Sequence, residues 1–347
     1  MRGEEVCDEV KKPIALHGHE RSITKICYNS DGDLLFSASK DNVPSVWWSV
    51  NGERLGTFDG HTGAVWTLDC NWDTTRVVSG SADQTLRIWD CETGKCLHVV
   101  PTPTSVRSAA FSYSGKWVLY TTDSMMKRQP EINVIDLATG EHLSGESALF
   151  KVQLNADQTK VLSSLWGALD ESVITGHESG NVARWDLRSG SSLESGTAVE
   201  PMLENKVHKG QINDMQYNKD QTMFITASKD NTAKLFDAYT LQHLKTFVTD
   251  RPVNSAAISP IFDHVVIGGG QEAMEVTTTD AQSGKFESRF FHLIFEEEFG
   301  RVKGHFGPIQ SLAFHPDGRS YATGAEDGFI RLQAFDDSYF NFKMEYE

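Results

Sequence analysis

Four histidines of this chain are each followed, 22 residues on, by an aspartate: His19 by Asp41, His61 by Asp83, His208 by Asp230 and His305 by Asp327. A hydroxyl stands 18 residues after each histidine (Ser37, Ser79, Thr226, Thr323), and six residues after each aspartate comes Trp47, Trp89, Phe236 or Gln333. Between the marks lie two short apolar runs split by a turn, as in ITKICYN-SDGD-LLFSAS and IQSLAFH-PDGR-SYATGA. Runs of this length with turn residues between them predict antiparallel strands. A spacing kept four times over belongs to a repeated structural unit rather than to a single site.

The same ruler finds three weaker copies, giving seven starts at 19, 61, 102, 157, 208, 249 and 305. A period of about 40 to 45 residues with Gly-His and Trp-Asp marks is that of the WD repeat, whose unit is one four-stranded propeller blade. The predicted fold is therefore all-β, a seven-bladed WD-repeat β-propeller. Residues 1–11 read as an acidic leader expected to be disordered, and 12–347 as the single propeller. Long intervals place insertions near 123–131, 188–205 and 280–301. Closing the ring needs a strand from one chain end, because an open sheet edge templates aggregation. KPIALH (12–17) is the candidate for the outer strand of the blade begun at 305, with YFNFKMEY (339–346) as its competitor.

Serine, histidine and aspartate together are also the residues of a hydrolase triad. Here they occur four times, threonine stands for serine in two copies, and no G-x-S-x-G elbow is present. In WD-repeat proteins, which these marks resemble, the aspartate sits in the turn between second and third strands and bonds the histidine, which bonds the hydroxyl, which bonds the tryptophan. The tetrads His19–Ser37–Asp41–Trp47, His61–Ser79–Asp83–Trp89, His208–Thr226–Asp230 and His305–Thr323–Asp327 are then architectural: they satisfy polar groups that cost about 1 to 3 kcal/mol each when buried alone. No catalytic residue is expected. GGGQEAM (268–274) lacks G-x-G-x-x-G spacing and reads as a turn or bulge. The five cysteines contain no CxxC, so neither a metal nor a cofactor is predicted.

Acids outnumber bases 48 to 32, net −16, which opposes the phosphate neutralisation that drives nucleic-acid binding and leaves an acidic surface for basic protein partners. No apolar run reaches membrane-spanning length, and the first residues, MRGEEVCDEVKK, carry acids where a signal peptide carries bases and an apolar stretch. A soluble cytoplasmic protein with no membrane contact is expected.

Particular strings go further: NGERLGTFDGHTGAVW, HKGQINDMQYNKDQTMFITASKDNTAKLFD and GKFESRFFHLIFEEEFGRVKGHFGPIQSLAFHPDGRSYATGAEDGFIRL closely resemble the i-subunit family of eukaryotic translation initiation factor 3. The resemblance runs from about Lys12 to the carboxyl end and is most specific over 208–333. It implies a non-catalytic scaffold that holds the carboxyl-terminal segment of the b subunit, contacts the g subunit, reaches the small ribosomal subunit through the complex, and supports recruitment and scanning of messenger RNA. It also implies docking of the b segment against blades five and six, with Asp214 of INDMQ and Asp230 of SKDNTAKL as partner-binding acids. Asp214 is expected near the face of the ring, where reversing its charge weakens docking without lowering the melting temperature. Residues 286–303 are expected either as a further contact or as an outer strand of their own blade. The WDLR at 185–188 supports a competing reading, because it resembles the W-D-x-R of WD-repeat substrate receptors of cullin-type ubiquitin ligases. A general signalling adaptor is a further alternative.

Overall fold

The computed structural model describes residues 12–125, 128–139, 148–154, 159–189, 200–270 and 286–342. They form seven four-stranded antiparallel sheets with almost no helix. The first strand of each sheet packs on the first strands of the sheets before and after it, and these contacts run round to their beginning. The seven innermost strands are Ile23–Tyr28, Val65–Cys70, Val106–Phe111, Val161–Trp166, Ile212–Tyr217, Val253–Ile258 and Ile309–Phe314. The molecule is thus a closed seven-bladed propeller, with the chain running outward through each blade.

The blades hold because neighbouring blades cover both faces of the inner part of each sheet, so the second strands are buried along nearly their whole length instead of alternating. Between blades 1 and 2, for example, Phe36, Val46 and Phe58 pack against Leu68, Val77 and Trp89. Small residues on the second strands set the spacing. A Cβ added at Gly80 would come within 2.4 Å of Val106 Cγ1, and one at Gly324 within 2.5 Å of Ile23 Cγ2. Each of these glycines lets the next blade approach.

The amino-terminal candidate closes the ring. Strand Ile14–Leu16 pairs antiparallel with the third strand of blade 7 in the register Ile14↔Leu332, Ala15↔Arg331, Leu16↔Ile330. The competing segment adds no strand over its described part. Residues Asp337–Phe340 make a single helical turn capped by Asp336, and Tyr339 stacks on Phe335 at 3.8 Å between ring centroids. The last residues of that candidate, 343–346, lie outside the described residues, as do the leader 1–11 and most of GGGQEAM.

One placement is corrected. The insertion expected at 280–301 does not extend that far: Glu287–His292 and Glu298–Lys303 are the third and outer strands of blade 6, so the extra residues of this interval precede 286. The third strand is buried at every position and the outer one at none, so neither shows a period of two, and FFHLIFEEEFG reads as irregular in the sequence. The reading of 286–303 as an outer strand in its own blade holds.

Candidate functional site

Each tetrad is built at the turn between the second and third strands of its blade. His61 Nδ1 lies 2.8 Å from Asp83 Oδ2, its Nε2 lies 2.7 Å from Ser79 Oγ, and Trp89 Nε1 lies 2.8 Å from the same Oγ. The set on His19 repeats this with Asp41, Ser37 and Trp47 at 2.7, 2.7 and 2.8 Å. Indole N–H can only donate, so it fills an acceptor site of the serine oxygen. The serine hydroxyl then donates to His Nε2, and Nδ1–H donates to the carboxylate. In blade 2, where burial depresses the His61 value, this chain of bonds fits a neutral imidazole protonated at Nδ1. The aspartate also organises the turn: in blade 2 its Oδ2 accepts the Thr62 N–H and its Oδ1 the Thr85 N–H, while Gln84 between them adopts a positive φ of 64°.

His208 with Thr226 (2.7 Å) and Asp230 (3.0 Å), and His305 with Thr323 (2.8 Å) and Asp327 (3.1 Å), complete the four predicted sets. Phe236 and Gln333 stand in place of tryptophan there, and Gln333 is instead bonded by the Tyr321 hydroxyl. A fifth, variant set was missed. In blade 4 Trp185 Nε1 donates to Thr175 Oγ1 at 2.9 Å, and the histidine, His177, comes from the end of the same strand, 3.0 Å from that hydroxyl. His177 Nδ1 donates to the Thr159 carbonyl at 3.0 Å, so backbone replaces aspartate. The available signal was the ten-residue interval from Thr175 to Trp185, which matches Ser37 to Trp47 and Ser79 to Trp89.

Serine, histidine and aspartate here have the connectivity of a hydrolase triad, and burial decides what they do. Ser37 and Ser79 are fully buried and each already accepts an indole N–H. No substrate carbonyl reaches such an oxygen, so these groups fasten strands together.

The protonation states follow. Burial pushes His61, His177 and His208 below the ordinary imidazole value of 6.5, and the neighbouring carboxylates of His61 and His208 only partly offset it. For Asp41, Asp83, Asp230 and Asp327 burial works upward, but hydrogen bonds from histidine, backbone N–H groups and, for Asp83 and Asp230, a threonine hydroxyl outweigh it and hold them below the usual carboxylate value. In both classes the folded-state value is depressed, so the unfolded chain binds more protons on acidification. The stabilisation is complete above pH about 6.5, falls below it as the histidines are forced to charge, and falls again below about 4. Asp69, raised to about 6 by burial, acts in the opposite sense between those values. Three histidines against one carboxyl give a melting temperature that drops steadily from pH 7 to 4, measured by circular dichroism. A flat profile from 7 to 5 would contradict the neutral imidazoles.

The second polar feature fills the centre of the ring, a cavity of about 490 Å³ lined by the first strands. Lys25 Nζ of blade 1 reaches across it to Asp214 Oδ1 of blade 5 at 2.6 Å. Asp214 Oδ2 accepts Ser255 Oγ of blade 6 at 2.6 Å and Gln216 Nε2 at 2.9 Å, and Gln216 also donates to the Leu312 carbonyl of blade 7 at 2.7 Å. Burial works against the Lys25 charge, yet the carboxylate beside it outweighs burial and raises its affinity for the proton. Asp214 is therefore not open to a docked segment near the face of the ring, as expected, but buried at the hub and engaged by Lys25, Ser255 and Gln216. Reversing its charge would set two cations against each other in the cavity, so the expectation of an unchanged melting temperature is withdrawn. Asp230 lies where it was expected, in the tetrad turn.

Above this bridge, a β-bulge interrupts the pairing of first and second strands at the same place in all seven blades, skipping Thr24, Trp66, Arg107, Leu162, Asn213, Asn254 and Gln310. All seven skipped side chains line one mouth of the channel, at the tetrad end. Thr24, Asn213 and Asn254 donate to carbonyls of the following blade at 2.6, 2.9 and 3.0 Å, and Arg107 lies over the Trp66 ring at 4.6 Å. Below it, Cys27 and Cys70 of neighbouring first strands come together with Asp69, three possible ligand atoms within 4.8 Å. The thiol of Cys70 is held protonated by its hydrogen bond with the free Cys27 thiol and by burial, so a cation would have to displace that proton. Cysteine spacing along the chain has no access to such a pairing between blades.

The WDLR motif ends the third strand of blade 4, where Arg188 pairs with Asp186 at 3.3 Å and with Glu171 at 3.4 Å. Among the described residues no helix is long and apolar enough to cross a membrane.

Comparison with known proteins extends over the whole ring. The sequence model of the family described as EIF3I matches residues 11–345. The curated protein "Eukaryotic translation initiation factor 3 subunit I" of Culex quinquefasciatus is 56% identical over 336 residues, covering 96% of this chain and 100% of its own. Its counterpart in Nematostella vectensis is 56% identical over 335 residues, 96% and 100% covered, and that of Taeniopygia guttata 55% over 334, 96% and 99% covered.

Proposed function

The chain belongs to the family of eukaryotic translation initiation factor 3 subunit I, and from that membership we propose that it serves in the factor as a non-catalytic scaffold in the cytoplasm. In this reading it holds the carboxyl-terminal segment of the b subunit and contacts the g subunit. It reaches the small ribosomal subunit through the complex and supports recruitment and scanning of messenger RNA. The observation that carries the reading is similarity spanning every blade at more than half identity, with the relatives covered end to end. It is supported by the chain's net charge of −16, which suits basic protein segments better than bare phosphate.

Partner docking on blades five and six gives Asp214 and Asp230 indirect parts. Asp230 shapes the turn that presents Lys229 and Asn231, through its bonds to the Lys209 and Thr232 N–H groups at 2.9 and 3.1 Å. Asp214 fixes the inner ends of the same two blades through Ser255. A fluorescent peptide from the b subunit's carboxyl end, titrated with the purified full chain, is expected to bind saturably and to lose at least ten-fold in affinity with Asp230→Ala, while Asp230→Glu restores part of it. No saturable binding would remove the b-subunit assignment.

A further inference from the structure

Successive strands of a blade run in opposite directions, so the turns joining first to second and third to fourth strands all lie at the end of the ring opposite the tetrads. We propose that this opposite end, at blades 2 to 4, is a docking surface for a lysine- or arginine-rich protein segment that lays an aromatic or aliphatic anchor against Trp72, Tyr113 and Leu169. The proposal goes beyond the scaffold reading, whose partner acids Asp214 and Asp230 both lie in blade five.

The apolar part is exposed and preformed. Trp72 and Tyr113, in the first turns of blades 2 and 3, are 57% and 59% exposed with ring centroids 5.2 Å apart. Leu169, in the same turn of blade 4, is 85% exposed and has φ 58° and ψ 24°, a left-handed conformation that costs a non-glycine residue about 1 to 2 kcal/mol. That strain is maintained by the next residue. The buried Asp170 carboxylate accepts the Tyr113 and Ser114 N–H groups at 2.9 and 3.0 Å, tying the turn of blade 4 to that of blade 3. On the other side Ser30 Oγ donates to the Trp72 carbonyl at 2.8 Å, tying blade 1 to blade 2. Three large apolar side chains held out to water by cross-blade bonds present binding surface with little left to order, which is where interface affinity concentrates. Beside them opens a cavity of about 350 Å³ whose walls include Tyr28, Trp166 and Tyr217, space for an inserted side chain.

Charge selects the occupant. Asp31, Asp33 and Asp73 are exposed in the turns adjoining this patch, and Asp220 and Asp317 in the corresponding turns across the mouth. The outer turns of the same end add exposed Glu53, Glu92, Glu296 and Glu297. Lys95, Lys116, Arg76, Lys219 and Arg319 answer only part of this, and Arg188 is engaged by Asp186 and Glu171. A phosphate backbone would meet repulsion here, whereas an apolar anchor flanked by lysine or arginine finds both its contacts.

The test is a photo-reactive benzoylphenylalanine at Tyr113 of the full-length chain, expressed in its own cells, with the same substitution at Phe306 on the tetrad end as control. Phe306 is itself 84% exposed. The expected result is a cross-link from position 113, not from 306, to one tryptic region rich in lysine and arginine. Its yield should fall at least five-fold with Asp31→Lys and Asp73→Lys at unchanged melting temperature. Cross-links to RNA, to a second copy of the chain or to an acidic segment, or no cross-link specific to position 113, overturn the proposal. None of these outcomes bears on the b-subunit titration, so the two readings fail separately.

Discussion

Replacing Asp214 by alanine is expected to lower the melting temperature by about 4 °C, and by lysine considerably more. Removing one member of a buried ion pair costs about 3 to 5 kcal/mol, because the charge left behind is desolvated without a partner. The Lys25 side chain keeps 27% of its surface in water, which puts the loss near the lower end, about 3 kcal/mol. For 347 residues the unfolding entropy is about 0.7 kcal/mol per kelvin, which converts that loss to the shift stated. Lys25→Met combined with Asp214→Leu is expected to regain more than half of it, since two apolar groups remove both stranded charges. Thermal melts of the two single variants and the double variant measure the coupling. A single Asp214→Ala chain that melts with the parent would show that the cross-channel bridge contributes nothing.

The second large effect is Ser79→Ala, which is expected to cost about 3 kcal/mol. One deleted oxygen strands two groups, the Trp89 N–H and the lone pair of His61 Nε2, at about 1 to 3 kcal/mol each, and both residues are almost wholly buried. Trp89→Phe is expected to cost less, because it removes a donor and leaves the serine hydroxyl bonded to histidine. The molecule already contains that arrangement: in blade 5 Phe236 takes the tryptophan place and Thr226 still meets His208 at 2.7 Å. Urea denaturation of both variants gives the order. If Trp89→Phe proved the more damaging, the tetrad's stability would reside in ring packing and not in its chain of hydrogen bonds.

The features legible in the sequence are those recorded by local offsets. His61, Ser79 and Asp83 fall within one repeat, so their spacing is fixed by strand length and turn length and can be read directly. His177 was missed because its repeat draws the histidine from the other side of the same hydroxyl. The hub was missed for a different reason: Lys25 and Asp214 are brought together by ring closure, and no rule of spacing connects residues four blades apart in the chain. Asp214 therefore looked like a free surface acid. The bulge at every first strand was equally hidden, since Thr24, Trp66, Arg107 and Asn213 share a position but no chemistry. Pattern named KPIALH as the closing strand, which the pairing bears out, but did not exclude its competitor. IAL and YFNF are both plausible strands, and only the packing of Tyr339 on Phe335 commits the second to a helical turn.

Pairing Ile14–Leu16 with the strand that ends at Ala334 has a consequence in time. A ribosome makes the first of these strands before the six intervening blades and the second after them, so the earlier segment must wait for those blades before it finds its neighbour. Until then the growing protein is an open arc with unsatisfied edges, and the stitch that closes it comes only after the other six blades have been made.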